Sequence, residues 1–405
     1  MVIYTVNFGF FFPFWDQWEL LRYIVNLKNG TIEWHTLWAQ HNEHRIFFPR
    51  IIMLGIAWAT HWNHAYELAL NVALGTSIFF VLLYIHSKYT HHDMITHICS
   101  SVILLCLCFS LLQSENWTWG WQNQIFFSVL CAIATFYLIT HTSSDTHLCM
   151  SIFTSFMGTF SFANGILIWP VSIFILILNR RINHAVMFFI AFALTAWLYY
   201  HDYVSPQGHG HFWAFLSIFE VYIKYVLVYL GSPVLPINEL TRLIFGIVGL
   251  CIFIYLCLIS IMKKYYQNPL FLFGVCLCMF GICSAMVTGI GRCAFGVIQS
   301  ESSRYTTIAN TLWYGLLSMY LTCAGSIKTM TIKFVLGAVS VFFVYSNIRF
   351  SEVKYKMPNY NPSFARMLIN DEINTANAQT YYPISDTVLV NIPILKKYNL
   401  SVFHK

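Results

Sequence analysis

Charge is what this chain has least of. Asp, Glu, Lys and Arg together make up 9% of its 405 residues, against roughly 25% in an ordinary soluble domain. A soluble fold of this length would lack the polar surface to cover itself. With 58% hydrophobic residues and a mean hydropathy of +0.62, the sequence reads as a series of membrane spans. Disulfide and zinc patterns are missing too. Twelve cysteines are present but no CxxC pair, and Cys106, Cys108, Cys251, Cys257, Cys276, Cys278 and Cys283 lie inside apolar runs, where they act as small buried residues. No basic segment precedes the apolar first 14 residues, so no cleavable signal peptide is expected. The net charge of +6 is modest and forms no nucleic-acid footprint. No glycine-rich phosphate loop follows a strand pattern.

What is present is apolar and long. Taking roughly 20 apolar residues per span, with shorter ones tolerated inside a bundle, eleven spans are expected: 2–14, 65–87, 94–113, 124–141, 146–162, 165–179, 183–200, 241–262, 268–289, 306–325 and 330–348. The first is short for a complete crossing. Segments 46–61 and 213–231 are apolar but interrupted by Arg50, Glu220 and Lys224, and are expected to be interfacial or re-entrant helices. Short loops rich in Lys and Arg stay cytoplasmic. Lys88, Arg180, Arg181, Lys263, Lys264 and Lys328 then share the inner side, where the only acids are Asp93 and Asp145. The outer side holds 15–64, 114–123, 201–240, 290–305 and a polar, proline-containing tail. The expected fold is an all-α polytopic membrane protein, with a transmembrane domain over 1–348 and a small extramembrane segment over 349–405.

Chemistry-bearing residues gather in the outer loops. The first reads Pro13-Phe14-Trp15-Asp16-Gln17-Trp18-Glu19, then Trp38-Ala39-Gln40-His41-Asn42-Glu43-His44-Arg45. Tryptophans at this depth also form the ordinary interfacial belt, but a belt does not account for Asp16 or for the run Gln40–Arg45. A carboxylate at the membrane boundary is partly desolvated, which suits a general base. On a helix His41 and His44 would share a face at i, i+3. Two histidines with Glu43 are a thin metal signal; hydrogen bonding to a sugar or to Asp16 is the better reading, with a purely structural network as the alternative. The second loop, Glu115-Asn116-Trp117-Thr118-Trp119-Gly120-Trp121-Gln122, alternates aromatic faces with amides and an acid, which suits carbohydrate, with the interfacial belt again as the alternative. The last outer loop contains Arg292, then Glu301-Ser302-Ser303-Arg304-Tyr305. Arginine on an outer boundary suits an anionic partner, because guanidinium pairs bidentately with phosphate; a salt bridge to Glu301 is the alternative. In the third loop His201, Asp202, His209 and His211 are too thinly spaced for a metal site.

The segments PFWDQWEL, LWAQHNEHRIFFPR, ENWTWGWQ, FANGILIWP and ESSRYTT are similar to those of a bacterial family of multispanning proteins. A hydrophobic first segment, an acidic Trp-rich first outer loop and a polar C-terminal part also resemble the GT-C superfamily of membrane glycosyltransferases, which use polyprenyl-phosphate sugars. Size and layout resemble those of serotype-converting O-antigen glucosyltransferases. The resemblance covers about residues 1–348. It implies a catalytic acid in the first outer loop, carried by Asp16 with Glu43 as the competing candidate. It also implies that Arg292 and Arg304 hold the lipid phosphate. Glu19, His41, Asn42, His44, Arg45, Glu115, Trp117, Trp119, Gln122, Glu301 and Tyr305 would line the sites for donor and acceptor. The truncated first helix departs from the family pattern and puts the position of Asp16 in doubt.

The reaction implied is inverting transfer of a sugar, glucose being one candidate, from a polyprenyl phosphate to a lipid-linked or surface glycan such as O-antigen. It would take place on the periplasmic side of a bacterial inner membrane. Its partners would be the donor lipid, a glycan acceptor, the bilayer, a flippase and a donor-lipid synthase, with no nucleic acid. The resemblance assigns no definite cofactor, with a divalent cation as a candidate. Two rival readings are a flippase for lipid-linked saccharides and an O-antigen polymerase or ligase. A flippase would place charges within its spans; a polymerase or ligase needs a larger late outer loop than 290–305.

Overall fold

The computed structural model describes residues 1–89, 93–205, 214–234, 238–323, 329–357, 359 and 361–404. Lys328, His209, His211 and Pro358 lie outside them. The described residues form helices and connecting turns, with a lone β-bridge between His41 and His44. A short α1 (Val2–Phe8) is followed by four helices before the first long turn: α2 (Gln17–Lys28), α3 (Trp34–Trp38), α4 (Phe47–Thr60) and α5 (His64–Tyr89). Next come α6 (Met94–Cys108), α7 (Ser114–Thr118), α8 (Asn123–His141), α9 (Asp145–Thr159), α10 (Ile168–Leu178) and α11 (Ile182–Tyr200). The second half holds α12 (Ala214–Ser217), α13 (Phe219–Leu230), α14 (Glu239–Lys263), α15 (Pro269–Arg292), α16 (Thr306–Cys323) and α17 (Thr329–Lys356). The tail adds α18 (Asn361–Ile369), α19 (Thr375–Ala378) and α20 (Ser385–Lys397).

Among the described residues seven helical segments are long and apolar enough to cross a membrane: His64–Tyr89, Met94–Thr118, Gly120–His141, Ile182–Tyr200, Glu239–Lys263, Pro269–Phe295 and Met330–Ile369. The chain is therefore a helical multi-pass membrane protein. These seven correspond to seven of the eleven expected spans; the other four fall short for separate reasons. Helix α1 stops at Phe8, and Gly9 begins an extended stretch into Pro13, so 2–14 is not one helix. Helix α9 has 15 residues, and Ala163–Leu178 is a short apolar helix. Helix α16 is buried nearly throughout and carries Asn310, Thr311 and Ser318 into the bundle, which lowers its apolarity. It packs tightly on α15: a Cβ added to Gly274 would lie 2.7 Å from the Gly315 carbonyl oxygen, the small-residue contact usual between membrane helices. Segment 46–61 becomes the 14-residue α4 and 213–231 the short α12 and α13, all too short to cross alone.

Side-chain contacts sort the helix ends into two groups. At one end Tyr89 meets Tyr137 at 3.3 Å, Arg181 donates to the carbonyls of Ile139 and Thr142, His184 approaches Asp145 at 3.3 Å, and Lys333 lies 3.4 Å from Asp93. The expected inner-side residues Lys88 and Arg181 belong to this end. The other end carries the long irregular loops. Asp93, Ser144 and Asn268 cap α6, α9 and α15, and Pro269 occupies the first turn of α15, so the helices of the basic end start cleanly.

Two cores result. The larger lies between the bundle helices. The smaller one joins α2, α4 and the tail, packing Phe12, Trp18, Leu21 and Trp62 against Phe364, Leu368, Tyr381 and Val388. The expected boundary at 348/349 falls inside α17, and the tail is one folded unit with the first loop. The Trp15 N–H donates to the Tyr381 carbonyl at 3.0 Å, Tyr382 Oη to Glu19 Oε1 at 2.7 Å, and the Ser401 N–H to the His61 carbonyl at 2.9 Å.

Candidate functional site

Two tight turns of the first loop deliver carboxylates to one place. In the first, Trp15 adopts a left-handed φ of 46°, a conformation that costs a bulky side chain about 1–3 kcal/mol. Its N–H is held by Tyr381. Asp16 then occupies the N-cap of α2 without capping it; instead the Phe14 N–H is accepted by Gln17 Oε1 at 3.2 Å. An N-cap aspartate ordinarily spends its oxygen on the helix; the carboxylate of Asp16 is not spent on its helix. Gln17 is fixed in turn by the fully buried Glu67, which accepts from Gln17 Nε2 at 2.5 Å and Trp62 Nε1 at 3.1 Å.

In the second turn the backbones of His41 and His44 exchange hydrogen bonds of 2.8 and 2.9 Å, with Asn42 left-handed at a φ of 48° between them. The pair is a turn, not the helical i, i+3 face considered for metal binding. Arg45 locks it by donating to the carbonyls of Trp38, Tyr199 and His201, and Tyr199 Oη donates to the Glu43 carbonyl at 2.7 Å.

Both turns open on a cavity of about 490 Å³ at the loop-rich end of the bundle, within the ~300–1,000 Å³ usual for small-molecule sites. Asp16, Asn42, Glu43, His44, Trp119, Gln122, Arg292, Arg304 and Tyr305, all expected from the sequence, line it. Trp15, Trp121, Gln124, Phe162, Asn164, Tyr199, Tyr200, Tyr203 and Thr288 line it as well and were not chosen as site residues. Tyr199, Tyr200 and Tyr203 close a span, where an aromatic run cannot be told from the interfacial belt.

Arg292 donates to Glu43 Oε1 across 249 positions of sequence. Burial alone pushes the Glu43 carboxyl up, but the neighbouring charges of His44 and Arg292 and the Arg292 hydrogen bond outweigh it and hold the group down at about 2. Burial pushes His44 down to about 4, so at neutral pH Glu43 is paired with Arg292 and His44 is uncharged. The Ala163 N–H donates to His44 Nδ1 at 3.2 Å, which leaves Nε2 to donate toward Glu43 Oε1, 3.5 Å away. Arg304 is held loosely: its guanidinium lies 3.8 Å from Glu115 Oε1, while its Nε donates to Ser302 Oγ.

Several expected site residues do not reach the cavity. Trp117 is fully buried and donates to the Ser110 carbonyl; it is a core residue. Glu115 accepts from Ser302 Oγ, Ser303 Oγ and the Arg304 N–H and so ties two loops together. Glu301 pairs with Arg242 at 2.8 Å, so the anticipated bridge from Arg292 or Arg304 to Glu301 is replaced by three separate pairs. Arg45 is spent on backbone carbonyls. Glu19 and His41 stand behind Asp16: His41 Nε2 is 3.5 Å from Asp16 Oδ2 and its Nδ1 is 3.6 Å from Glu19 Oε2. Among the described residues no three His, Cys, Asp or Glu side chains gather as a metal site. The chain matches no family model, no curated protein and no solved structure.

Proposed function

We propose that the chain is a membrane glycosyltransferase that moves a sugar from a polyprenyl-phosphate donor to a glycan acceptor by direct displacement. The carrying observation is a single cavity whose wall combines an unspent carboxylate, Asp16, with two arginines and an aromatic and amide lining. Those are the three things the reaction needs. Asp16 takes the proton of the acceptor hydroxyl as its oxygen attacks the anomeric carbon. The phosphate leaves from the opposite side of that carbon, so the configuration inverts. Arg292 and Arg304 take up the negative charge that develops on the leaving phosphate, and the 3.8 Å pair of Arg304 with Glu115 is loose enough for a phosphate to replace it. Trp15, Tyr200 and Tyr203 offer exposed ring surface to the CH surfaces of sugar rings, the buried Trp119 and Trp121 back the wall, and Gln122, Gln124, Asn42 and Asn164 supply amides for hydroxyls.

Between Asp16 and Glu43 the geometry favours Asp16 as the base. Glu43 is bound to Arg292 and held at about 2, too weak a base to take a proton from a hydroxyl at neutral pH. Its role is to aim Arg292. That the cavity belongs to the acid-rich, loop-rich end supports a reaction on the periplasmic side, opposite the basic loops that face the cytoplasm by the positive-inside rule. A lipid donor explains why the enzyme is embedded: its substrate arrives in the bilayer.

Charges within the described bundle helices α5 to α16 sit within a few residues of their ends, as with Glu67 in α5, Arg242 in α14 and Arg292 in α15, apart from Lys224 midway along the short α13, which pairs with Glu239, and they do not mark a path through the bilayer. Reconstitution of the full chain with labelled polyprenyl-phosphate sugar and an acceptor glycan separates enzyme from flippase. Label appearing on the acceptor with inverted configuration supports transfer. Label crossing the vesicle membrane without transfer overturns it.

A further inference from the structure

We propose that His41 is a proton-transfer and positioning residue acting through Asp16, and that Asp16, His41 and Glu19 form a path by which the acceptor's proton leaves the site. The inference rests on the glycosyltransfer reading and adds the step that reading leaves open: a base that has taken a proton must lose it before the next turnover.

The geometry fixes the direction of the path. Asp16 lines the cavity, whereas His41 does not and is nearly buried at 8% exposure. The imidazole lies between two carboxylates, with Nε2 3.5 Å from Asp16 Oδ2 and Nδ1 3.6 Å from Glu19 Oε2. Asn42 Nδ2 approaches the same Nε2 at 3.4 Å. An amide NH2 donates, so Nε2 is the acceptor nitrogen and the ring proton sits on Nδ1, facing Glu19. A carboxylate at Asp16 has nothing to donate to that acceptor; a protonated Asp16 does. The arrangement therefore suits the moment after Asp16 has taken its proton. Glu19 is the exposed terminus, with 38% of its side chain open to solvent, and Tyr382 of the tail donates to its Oε1, fixing it so that Oε2 remains for His41.

The step balances without any co-reactant. The Asp16 O–H bond breaks as its proton passes to His41 Nε2. The proton on His41 Nδ1 passes to Glu19 Oε2 and from there to water. All three groups end in their starting charge state, with the imidazole returning to its first tautomer by exchange. The turn of residues 41–44 holds His41 through its paired backbone bonds, and the ring packs at a tilt of 60° against Trp121 with centroids 4.9 Å apart. The titratable groups facing it are Asp16 and Glu19 from the start of α2 and His44 across the turn.

The test uses the full chain reconstituted with polyprenyl-phosphate sugar and acceptor glycan. His41→Gln keeps polar contacts to both carboxylates but cannot pass a proton through a ring, and Glu19→Gln keeps an oxygen for Tyr382. Each variant is expected to lower kcat on the order of 10-fold or more near neutral pH with donor KM unchanged. Activity should recover as pH rises and hydroxide strips Asp16 directly, and the double variant should be no worse than either single one. A merely structural role would give a pH-independent loss, additive in the double variant, and would overturn the path. Wild-type kcat in both variants at every pH would also overturn it. No transfer by the unmodified chain would overturn the parent reading, which separates the two failures.

Discussion

The two turns of the first loop are built alike and end differently. Each contains a left-handed non-glycine residue, Trp15 in one and Asn42 in the other, and each sets the following carboxylate on the same cavity wall. Glu43 meets a guanidinium; Asp16 meets an imidazole. On the proposed reading one carboxylate is thereby an anchor and the other the base. Residue type did not separate them. The partner each meets, supplied from 249 positions away in one case and 25 in the other, did.

The largest expected effect breaks the pair at its reactive member. Asp16→Asn should lower transfer by about 10²–10⁴-fold while leaving the protein folded in the membrane, since its side chain caps nothing. A transfer assay beside a detergent melting curve checks both halves, and retained activity would move the base to another residue. Next comes Arg292→Ala. Loss of a charge-assisted contact to phosphate costs about 1.5–3 kcal/mol, so donor KM should rise roughly 10- to 100-fold. An unchanged donor dependence would reduce Arg292 to a structural partner of Glu43.

How much of this the sequence disclosed follows from the range of the forces involved. Hydropathy is local, so seven spans could be read directly, and the crowding of acids and tryptophans into a few loops pointed to the residues that share the cavity. Pairing is not local. Nothing in the sequence distinguishes an arginine that meets Glu43 from one that meets Glu115, or shows that Glu301 belongs to Arg242. Trp117, Trp119 and Trp121 alternate in sequence and all three are buried, yet only the last two reach the cavity wall. The central α16 was expected as an ordinary span because its polar residues face helices, which composition averages away. The tail read as a separate cap because its apolar residues are spread thinly; only against Phe12, Trp18 and Trp62 do they make a core.

Glu43→Gln sharpens the comparison with a smaller effect. The amide still accepts a hydrogen bond from Arg292 but returns no charge, so donor KM should rise only several-fold. The two acid-side residues also predict distinct windows of stability. The Glu43 carboxyl is held at about 2 against an ordinary value of 4.5, so its ionised form favours the folded state by at most about 3 kcal/mol. That contribution is complete above 4.5 and lost as pH falls toward 2. His44 is depressed to about 4 from 6.5. The unfolded chain binds its proton first, so stability falls as pH drops from 6.5 to 4. Melting curves should therefore lose their slope between pH 6.5 and 4 in His44→Gln, and their slope below 4.5 in Glu43→Gln.

The smallest effects separate the two left-handed residues themselves. Asparagine tolerates positive φ better than other non-glycine residues, so Asn42→Gly should change stability by well under about 1 kcal/mol. Tryptophan does not tolerate it, so Trp15→Gly relieves about 1 kcal/mol or more of backbone strain and loses a ring that is 39% exposed and lies tilted beside Phe14. The two contributions oppose each other, and the melting temperature should move little. Acceptor KM is the decisive reading. If Trp15 is kept in a strained conformation to face sugar into the cavity, Trp15→Gly weakens acceptor use several-fold, and more than Asn42→Gly, which removes a single amide contact. Equal behaviour of the two would mean that the strain at Trp15 serves only the junction with Tyr381.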